Sequence, residues 1–281
     1  MSEAWRQLGT PRIGGVLLIG DHASAHVPDD IDLGIDLALL REHIAIDVGV
    51  AEVAALLVEA GAVDAAILGG VSRLVVDCNR DEEALGALPI VSDGHAIPGN
   101  AVDHSGREAR MARFFRPYHA HIAEAIAAHR PGMILSLHSF TPALASDPEQ
   151  QRPWHVGVLY NEDDRLAAPT IAALGAEGLT VGVVQGHIIH QVCLAGEMQD
   201  RRGEEAQVGH GARDIHAPGQ CKGFAVIARF VLGEPVEVIL DQLSESEQNG
   251  ASALPSHGVP RGKGTVRGFN SGVHITYITV R

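Results

Sequence analysis

The sequence predicts an α/β fold with a mainly parallel sheet and helices on both faces. Short apolar runs typical of buried strands alternate with longer runs of helical spacing through residues 14–184. The chain has 281 residues, of which 46% are hydrophobic, so it is long and apolar enough to bury a substantial core. Only 20% of its residues are charged, which disfavours wholesale disorder. We therefore expect one α/β domain.

The first half of the chain contains three predicted strands and one long predicted helix. The helix prediction rests on apolar residues that recur at helical spacing and end at a glycine, Gly61. In chain order, the pattern predicts a strand at Val16–Gly20, a loop at Asp21–Pro28, a helix at Asp36–Ala60, strands at Ala65–Leu68 and Ser72–Val76, and an irregular, turn-rich segment at Pro89–Asn100.

The second half continues the alternation as far as residue 184. A long helical pattern at Arg107–Arg130 is interrupted at Pro117, because proline lacks the N–H that a helix interior needs. The elements predicted after it are strands at Met133–Leu137 and His155–Leu159, a helix at Arg165–Ala176 and a strand at Leu179–Val184. Since ligands of such sheets gather at the carboxyl ends of strands, that edge is where a site is expected.

The C-terminal third differs from the rest of the chain in composition and hydrophobic periodicity. Periodicity survives only at Phe224–Val231 and Val236–Leu243, and residues 244–268 are rich in Ser, Gly, Pro and Asn. We expect residues 183–281 to pack poorly, with little regular structure after about residue 244. If the sheet needs a further strand, its edge would then be exposed.

Charge and cysteine content narrow the classes of partner. A net charge of −14 disfavours nucleic acid and anionic membranes, which bind cationic surfaces. No apolar run approaches the roughly 20 residues of a membrane span, and residues 1–12 do not resemble a signal peptide. The three cysteines, without close spacing, indicate reduced thiols and a cytoplasmic protein.

Two predicted strands end at a histidine. In MILSLHSF, residues 133–140, His138 directly follows the predicted strand, and the run LLIGDH, residues 17–22, ends with His22. Imidazole is a common zinc ligand, and Asp47 is a candidate third ligand. Taken alone, each histidine is better explained as a structural residue, and Asp47 as an aspartate on a helix surface.

The segment Ser72–Arg80 is a candidate for binding an anion. It carries Arg73, Asp77, Asn79 and Arg80, and a guanidinium can grip a carboxylate through two parallel hydrogen bonds. Asp77 would orient an arginine. A surface ion-pair network at the end of a strand is the competing interpretation.

A phenol and an imidazole stand next to each other in Arg116–His119. They are candidates for contact with a substrate. A capped helix with packed aromatic side chains explains the segment equally well.

Together these segments resemble one family. The runs, in order, are IGDHASAHVP, HIAIDVG, SRLVVDCNRD, VSDGHAIPGN, FFRPYHAHI, SLHSFTP and RPWHVGVLY. Over residues 14–182 they resemble the N-formylglutamate amidohydrolases, which are similar to the zinc carboxypeptidases in VVDCNR and SLHS.

The resemblance implies a zinc-carboxypeptidase-like fold and hydrolysis of a small anionic substrate, N-formyl-L-glutamate, to formate and glutamate. The residues it implies are the ligands of one zinc ion, His22, Asp47 and His138, and the binders of the substrate carboxylate, Asn79 and Arg80, with Arg73 as a helper. An amidohydrolase with another acyl amino acid or a peptide as substrate is the nearest alternative.

The resemblance stops after Gly182. The family continues with an Asn-(Glu/Gln)-Pro-Tyr-Ser-Gly segment and later a strand beginning with a glutamate, whereas this chain continues VVQGHIIHQVCLAGEMQDRRGEEAQ. The resemblance makes that glutamate the general base, so no catalytic residue is assigned here. The glutamates that follow nearby are Glu197, Glu204 and Glu205.

Two hypotheses explain this departure. We divide the chain into an amidohydrolase-like part, 1–182, and a C-terminal part of the same domain, 183–281, which is either divergent or translated from a shifted reading frame. A non-catalytic protein that binds metal and carboxylate is therefore the main alternative function.

Overall fold

A mixed sheet forms the centre of the protein. The computed structural model describes residues 3–149, 151–160, 164–185 and 274–280. In chain order the strands of these ranges are β1 (Trp5–Gly9), β2 (Val16–Gly20), β3 (Ala65–Gly69), β4 (Val91–Ser92), β5 (His95–Ala96), β6 (Met133–Ser139), β7 (Val156–Tyr160), β8 (Val181–Gln185) and β9 (His274–Val280). Within the described ranges, seven of them form one sheet in the order β1-β3-β2-β6-β9-β7-β8, while β4 and β5 form a separate hairpin.

Most neighbouring strands of this sheet are parallel, as predicted. β3, β2, β6 and β9 run in one direction. β1 is antiparallel to β3 at one edge, and β7 is antiparallel to β9 but parallel to β8. The structure is therefore a mixed α/β fold with a mostly parallel sheet.

Helices cover both faces, which also confirms the prediction. The helices are α1 (Val50–Glu59), α2 (His104–Arg110), α3 (Arg116–His129) and α4 (Ala167–Ala176). Leu18 of β2 packs into a core with α1 and α4, whereas its neighbours Leu17 and Ile19 pack into a second core with α3. This alternation follows from the two-residue period of a strand, which sends successive side chains to opposite faces.

The long helix predicted at Asp36–Ala60 is wrong. A short 3-10 helix spans Leu37–Arg41, and α1 begins only at Val50. Gly49 precedes α1 with a φ of 84°, a left-handed conformation that favours glycine and ends any continuous helical pattern. The chain between them turns inward, so Asp47 lies in a loop rather than on a helix surface.

The strand predicted at Ser72–Val76 is also wrong. The segment is a series of turns, in which the Ser72 hydroxyl donates to the Ala45 carbonyl and accepts from the Leu74 N–H. Such side-chain bonds to the local backbone compete with strand pairing.

The interruption predicted at Pro117 takes the form of a π-helical turn. Met111–Phe115 joins α2 to α3, and the Arg116 N–H bonds to the carbonyl of Met111, five residues back. The wider turn precedes Pro117, which has no N–H to continue the regular ladder.

The C-terminal part of the chain contributes a strand that the sequence analysis did not predict. β9 fills the position between β6 and β7, so β6 is not an exposed edge. Regular structure therefore does occur beyond residue 244. The segments Phe224–Val231, Val236–Leu243 and 244–268 lie outside the described residues.

Among the helices of the described ranges, none combines the length and the apolar character needed to cross a membrane.

Candidate metal centre

Two parallel strands bring the predicted histidines to the same edge of the sheet. β2 and β6 pair with Ile19 opposite Ser136; His138 is therefore near the end of β6, and His22 follows β2 by two residues. The turn after β2 packs closely on β3, where a Cβ atom at Gly69 would collide with the Asp21 carbonyl oxygen. As predicted, both histidines lie at carboxyl ends of strands.

Asp47 joins them from the loop before α1. Its N–H donates to the His22 carbonyl at 2.9 Å, which fixes the loop against the end of β2. Asp47 Oδ2 lies 2.8 Å from His138 Nδ1 and 3.4 Å from His22 Nδ1. The three side chains are buried, and one ligand atom from each lies within 4.8 Å of the others.

The outer nitrogen of each imidazole faces a different carboxylate. His22 Nε2 lies 2.8 Å from Asp77 Oδ1, and His138 Nε2 lies 3.4 Å from Asp21 Oδ2. Metal-binding histidines typically donate their second ring N–H to a carboxylate, which fixes the tautomer and the ring orientation. The arrangement therefore fits a cation among Asp47 and the two Nδ1 atoms.

The electrostatics of the cluster are dominated by these contacts. Burial raises the pKa of Asp47, but the charge of His22 and the hydrogen bond with His138 outweigh it and hold the pKa well below its usual range. Burial lowers the pKa of His138, yet Asp21 and Asp47 together raise it to about 10. The site thus stabilises positive charge beside an ionised Asp47.

Arg73 bridges two of the carboxylates. Its Nη1 donates to Asp47 Oδ1 at 3.2 Å and its Nη2 to Asp77 Oδ2 at 3.0 Å. Burial lowers the pKa of Arg73, but Asp77 and Asp47 reverse this and raise it above its ordinary value. The Arg73 guanidinium, which was predicted to help bind a substrate, is therefore already bonded to two carboxylates at the candidate metal site.

A cavity of about 400 Å³ opens beside the cluster, and Arg73, Asp77 and Arg80 contribute to its wall. The Arg80 side chain is 52% exposed, with Nε 3.8 Å from Asp77 Oδ2. Asn79 instead donates its backbone N–H to Asp77 Oδ1 at 3.0 Å and does not line the cavity. Of the three residues predicted to bind a carboxylate, Arg80 is the one placed at the cavity with an exposed cation.

Asp93 anchors the opposite side of this cavity. It sits in the β4–β5 turn with a φ of 42° and accepts the N–H groups of Ala145 at 2.8 Å and Ser146 at 2.7 Å. His43 Nε2 lies 2.8 Å from the same carboxylate. The bonds from Ala145 and Ser146 to Asp93 hold the segment after β6 against the cavity wall.

The sequence analysis missed Asp21, and of its two interpretations of Tyr118 the structure supports the packed aromatic side chain. Tyr118 is buried in the core, and its hydroxyl donates to Asp21 Oδ1 at 2.7 Å. His119, its neighbour, lies with Nε2 3.0 Å from the Cys78 carbonyl oxygen. The position of Asp21 directly before His22 was the available signal, but a strand-end pattern does not reveal that Asp21 faces His138.

Comparisons with known proteins identify the family of the chain. The family model for N-formylglutamate amidohydrolase matches residues 14–205, so the match ends beyond the expected residue 182. A gene product of Agrobacterium tumefaciens with a solved crystal structure is 34% identical, with a TM-score of 0.58, and the match covers 64% of this chain and 71% of that one. Among curated proteins, no match is found.

Proposed function

Because the chain belongs to the N-formylglutamate amidohydrolase family, we propose that it is a zinc-dependent hydrolase of N-acyl amino acids. The substrate proposed is N-formyl-L-glutamate, and the products are formate and glutamate. The buried cluster of His22, Asp47 and His138 is the observation that carries this proposal. A zinc-carboxypeptidase-like relationship is part of it, supported by the segments VVDCNR and SLHS.

The donor set suits zinc. Two imidazole nitrogens and one carboxylate are a common ligand set of hydrolytic zinc sites. Zinc in such a site supplies Lewis acidity toward an amide carbonyl and makes water nucleophilic near neutral pH. His22, Asp47 and His138 would hold the ion, while Arg73 orients Asp47 by donating to its other carboxylate oxygen.

Arg80 would bind the substrate's carboxylate. Its half-exposed guanidinium lies at the cavity and makes a loose ion pair of 3.8 Å with Asp77. A guanidinium binds a carboxylate through charge-assisted, bidentate hydrogen bonds. Because the protein carries a net charge of −14, this local cation is what attracts an anionic substrate.

Metal analysis combined with a formate-release assay tests the proposal. We expect about one zinc per chain and release of formate from N-formylglutamate, both lost in His138→Ala. A panel with N-acetylglutamate, N-formylmethionine and a dipeptide identifies the preferred acyl group and side chain. Wild-type protein that binds zinc but hydrolyses no member of the panel would overturn the proposed activity.

One observation favours a second candidate, a non-catalytic protein that binds metal and carboxylate. β9 is in register with β6, with Thr279 opposite His138, and its sequence HITYITV contains no acidic residue. The glutamate that the family resemblance makes the general base is therefore absent from this strand, and Glu197, Glu204 and Glu205 lie outside the described residues. Loss of a general base costs about 10²–10⁴-fold in rate.

The origin of residues 183–281 decides between these candidates. We propose that a shifted reading frame replaced the family's C-terminal segment, which accounts for the change of composition in this part of the chain, although the family match itself runs on to residue 205. Sequencing the gene across the codons for Thr180–Gln185 is the test. An uninterrupted frame in independent reads would show that the tail is a divergent one.

A further inference from the structure

A buried chain of polar contacts reaches His138 from the side opposite Asp47. The Tyr118 hydroxyl donates to Asp21 Oδ1 at 2.7 Å, and Asp21 Oδ2 lies 3.4 Å from His138 Nε2. All three residues are buried, and Tyr118 has no exposed surface at all. The contacts therefore run from α3, through the turn after β2, to the end of β6.

We propose that Asp21 and Tyr118 are positioning residues for His138, which they hold with Nδ1 turned toward the metal site. The Nε2–H of the imidazole faces Asp21 Oδ2 at 3.4 Å and the Ser136 hydroxyl at 3.3 Å, and holding the proton there leaves the lone pair of Nδ1 free for a cation. Tyr118 fixes the rotation of the Asp21 carboxylate by occupying its other oxygen. This inference rests on the proposed metal site.

The burial of Tyr118 explains why its hydroxyl bonds to Asp21. Tyr118 belongs to α3 and packs among the apolar residues Phe114, Phe115 and Ile122 of the second core. A phenol hydroxyl buried there must find a protein partner, because leaving it unbonded costs about 1–3 kcal/mol. Asp21 is the partner that the structure provides, so the tyrosine fixes one oxygen of this carboxylate.

The two histidines are supported by different chemistry. Asp77, the outer partner of His22, also accepts from the cationic Arg73. Asp21, the outer partner of His138, accepts instead from the neutral phenol of Tyr118. Removing the phenol hydroxyl should therefore act on the metal site through His138 rather than through His22.

Zinc affinity measured by chelator competition tests this inference, with Tyr118→Phe and Asp21→Asn as variants. We expect Asp21→Asn to weaken zinc binding by about 10–100-fold and Tyr118→Phe by up to about 10-fold. The matched control is Tyr160→Phe. Tyr160 is the last residue of β7, which runs opposite to β6 and β9, so it does not share the strand ends that carry His22 and His138, and zinc affinity should not change.

A second measurement separates positioning from a merely structural role. In zinc-loaded wild-type protein, the Nε2–H of His138 should give a slowly exchanging imidazole proton resonance, which Asp21→Asn removes. A lower melting temperature with unchanged zinc affinity and an unchanged resonance would overturn the inference. If Asp21→Asn fails to fold, Tyr118→Phe decides by the same two measurements.

The same experiments distinguish this inference from the proposed function. Zinc binding that depends on Tyr118 and Asp21, in a protein that releases no formate, would support the positioning role while refuting the activity. A wild-type protein that binds no zinc would overturn both.

Discussion

Replacing Arg73 should destabilise the metal-free protein more than replacing any other arginine of the cavity. Its guanidinium is 25% exposed and donates to two carboxylates, Asp47 and Asp77, whose side chains are 4% and 6% exposed. Arg73→Met keeps most of the apolar stem but removes the one guanidinium that donates to both buried carboxylates. Breaking a buried ion pair by removing one partner costs about 3–5 kcal/mol.

Urea denaturation of EDTA-treated protein measures this cost, and Arg80→Met is the matched control. Arg80 is 52% exposed and 3.8 Å from Asp77, so its removal should cost less than about 1 kcal/mol. Saturating zinc should reduce the difference between wild type and Arg73→Met, since a cation beside Asp47 replaces part of the lost charge. A loss in Arg73→Met no larger than that in Arg80→Met would refute the bridging role of Arg73.

Three further predictions follow from the cavity and the cluster. Arg80→Met should weaken binding of carboxylate ligands by about 10–100-fold while sparing their neutral amides, as titration calorimetry would show; equal losses would assign Arg80 to the ion pair alone. Because the pKa of His138 is raised to about 10, its proton is bound at pH 7 and must leave when zinc enters, so zinc affinity should fall as the pH falls. Calorimetry in buffers of different ionisation enthalpy should detect the released proton, and pH-independent binding would contradict this prediction. Asp93→Ala should speed hydrogen exchange at the amides of 145–146, whereas Asp93→Asn, which tolerates the left-handed backbone and still accepts hydrogen bonds, should preserve most protection; equal exchange in the two variants would refute the anchoring role.

The parts of the fold that the sequence predicts are those with clear periodicity. β2 is continuously apolar and β6 is mostly so, and such runs are typical of buried strands in a parallel sheet. The helix at Asp36–Ala60 was wrong because apolar spacing continues through a segment that is not helical. Gly49, directly before α1, interrupts the helical pattern through its left-handed backbone conformation, which hydrophobic spacing does not encode.

β1 and β9 were missed for different reasons. β1 lies at the sheet edge with no buried residue, and its sequence WRQLG has no apolar run. β9 has the sequence HITYITV, whose β-branched residues are typical of strands. The composition of residues 244–268 outweighed this signal in the sequence analysis.

The metal cluster was predicted in outline, but its supporting contacts were not. His22 and His138 stand out because each ends an apolar run, and the order of motifs adds Asp47. The contact from Tyr118 to Asp21 spans 97 positions in the chain. Only the packing of α3 against the turn after β2 brings these two residues together, and no local pattern contains that information.

X-ray anomalous scattering at the zinc edge, recorded on crystals grown with zinc, tests the central claim most directly. The account predicts one strong peak bounded by the Nδ1 atoms of His22 and His138 and the carboxylate of Asp47, with Zn–N distances of about 2.0–2.1 Å. Crystals that contain zinc elsewhere but show no peak among these three side chains would contradict it.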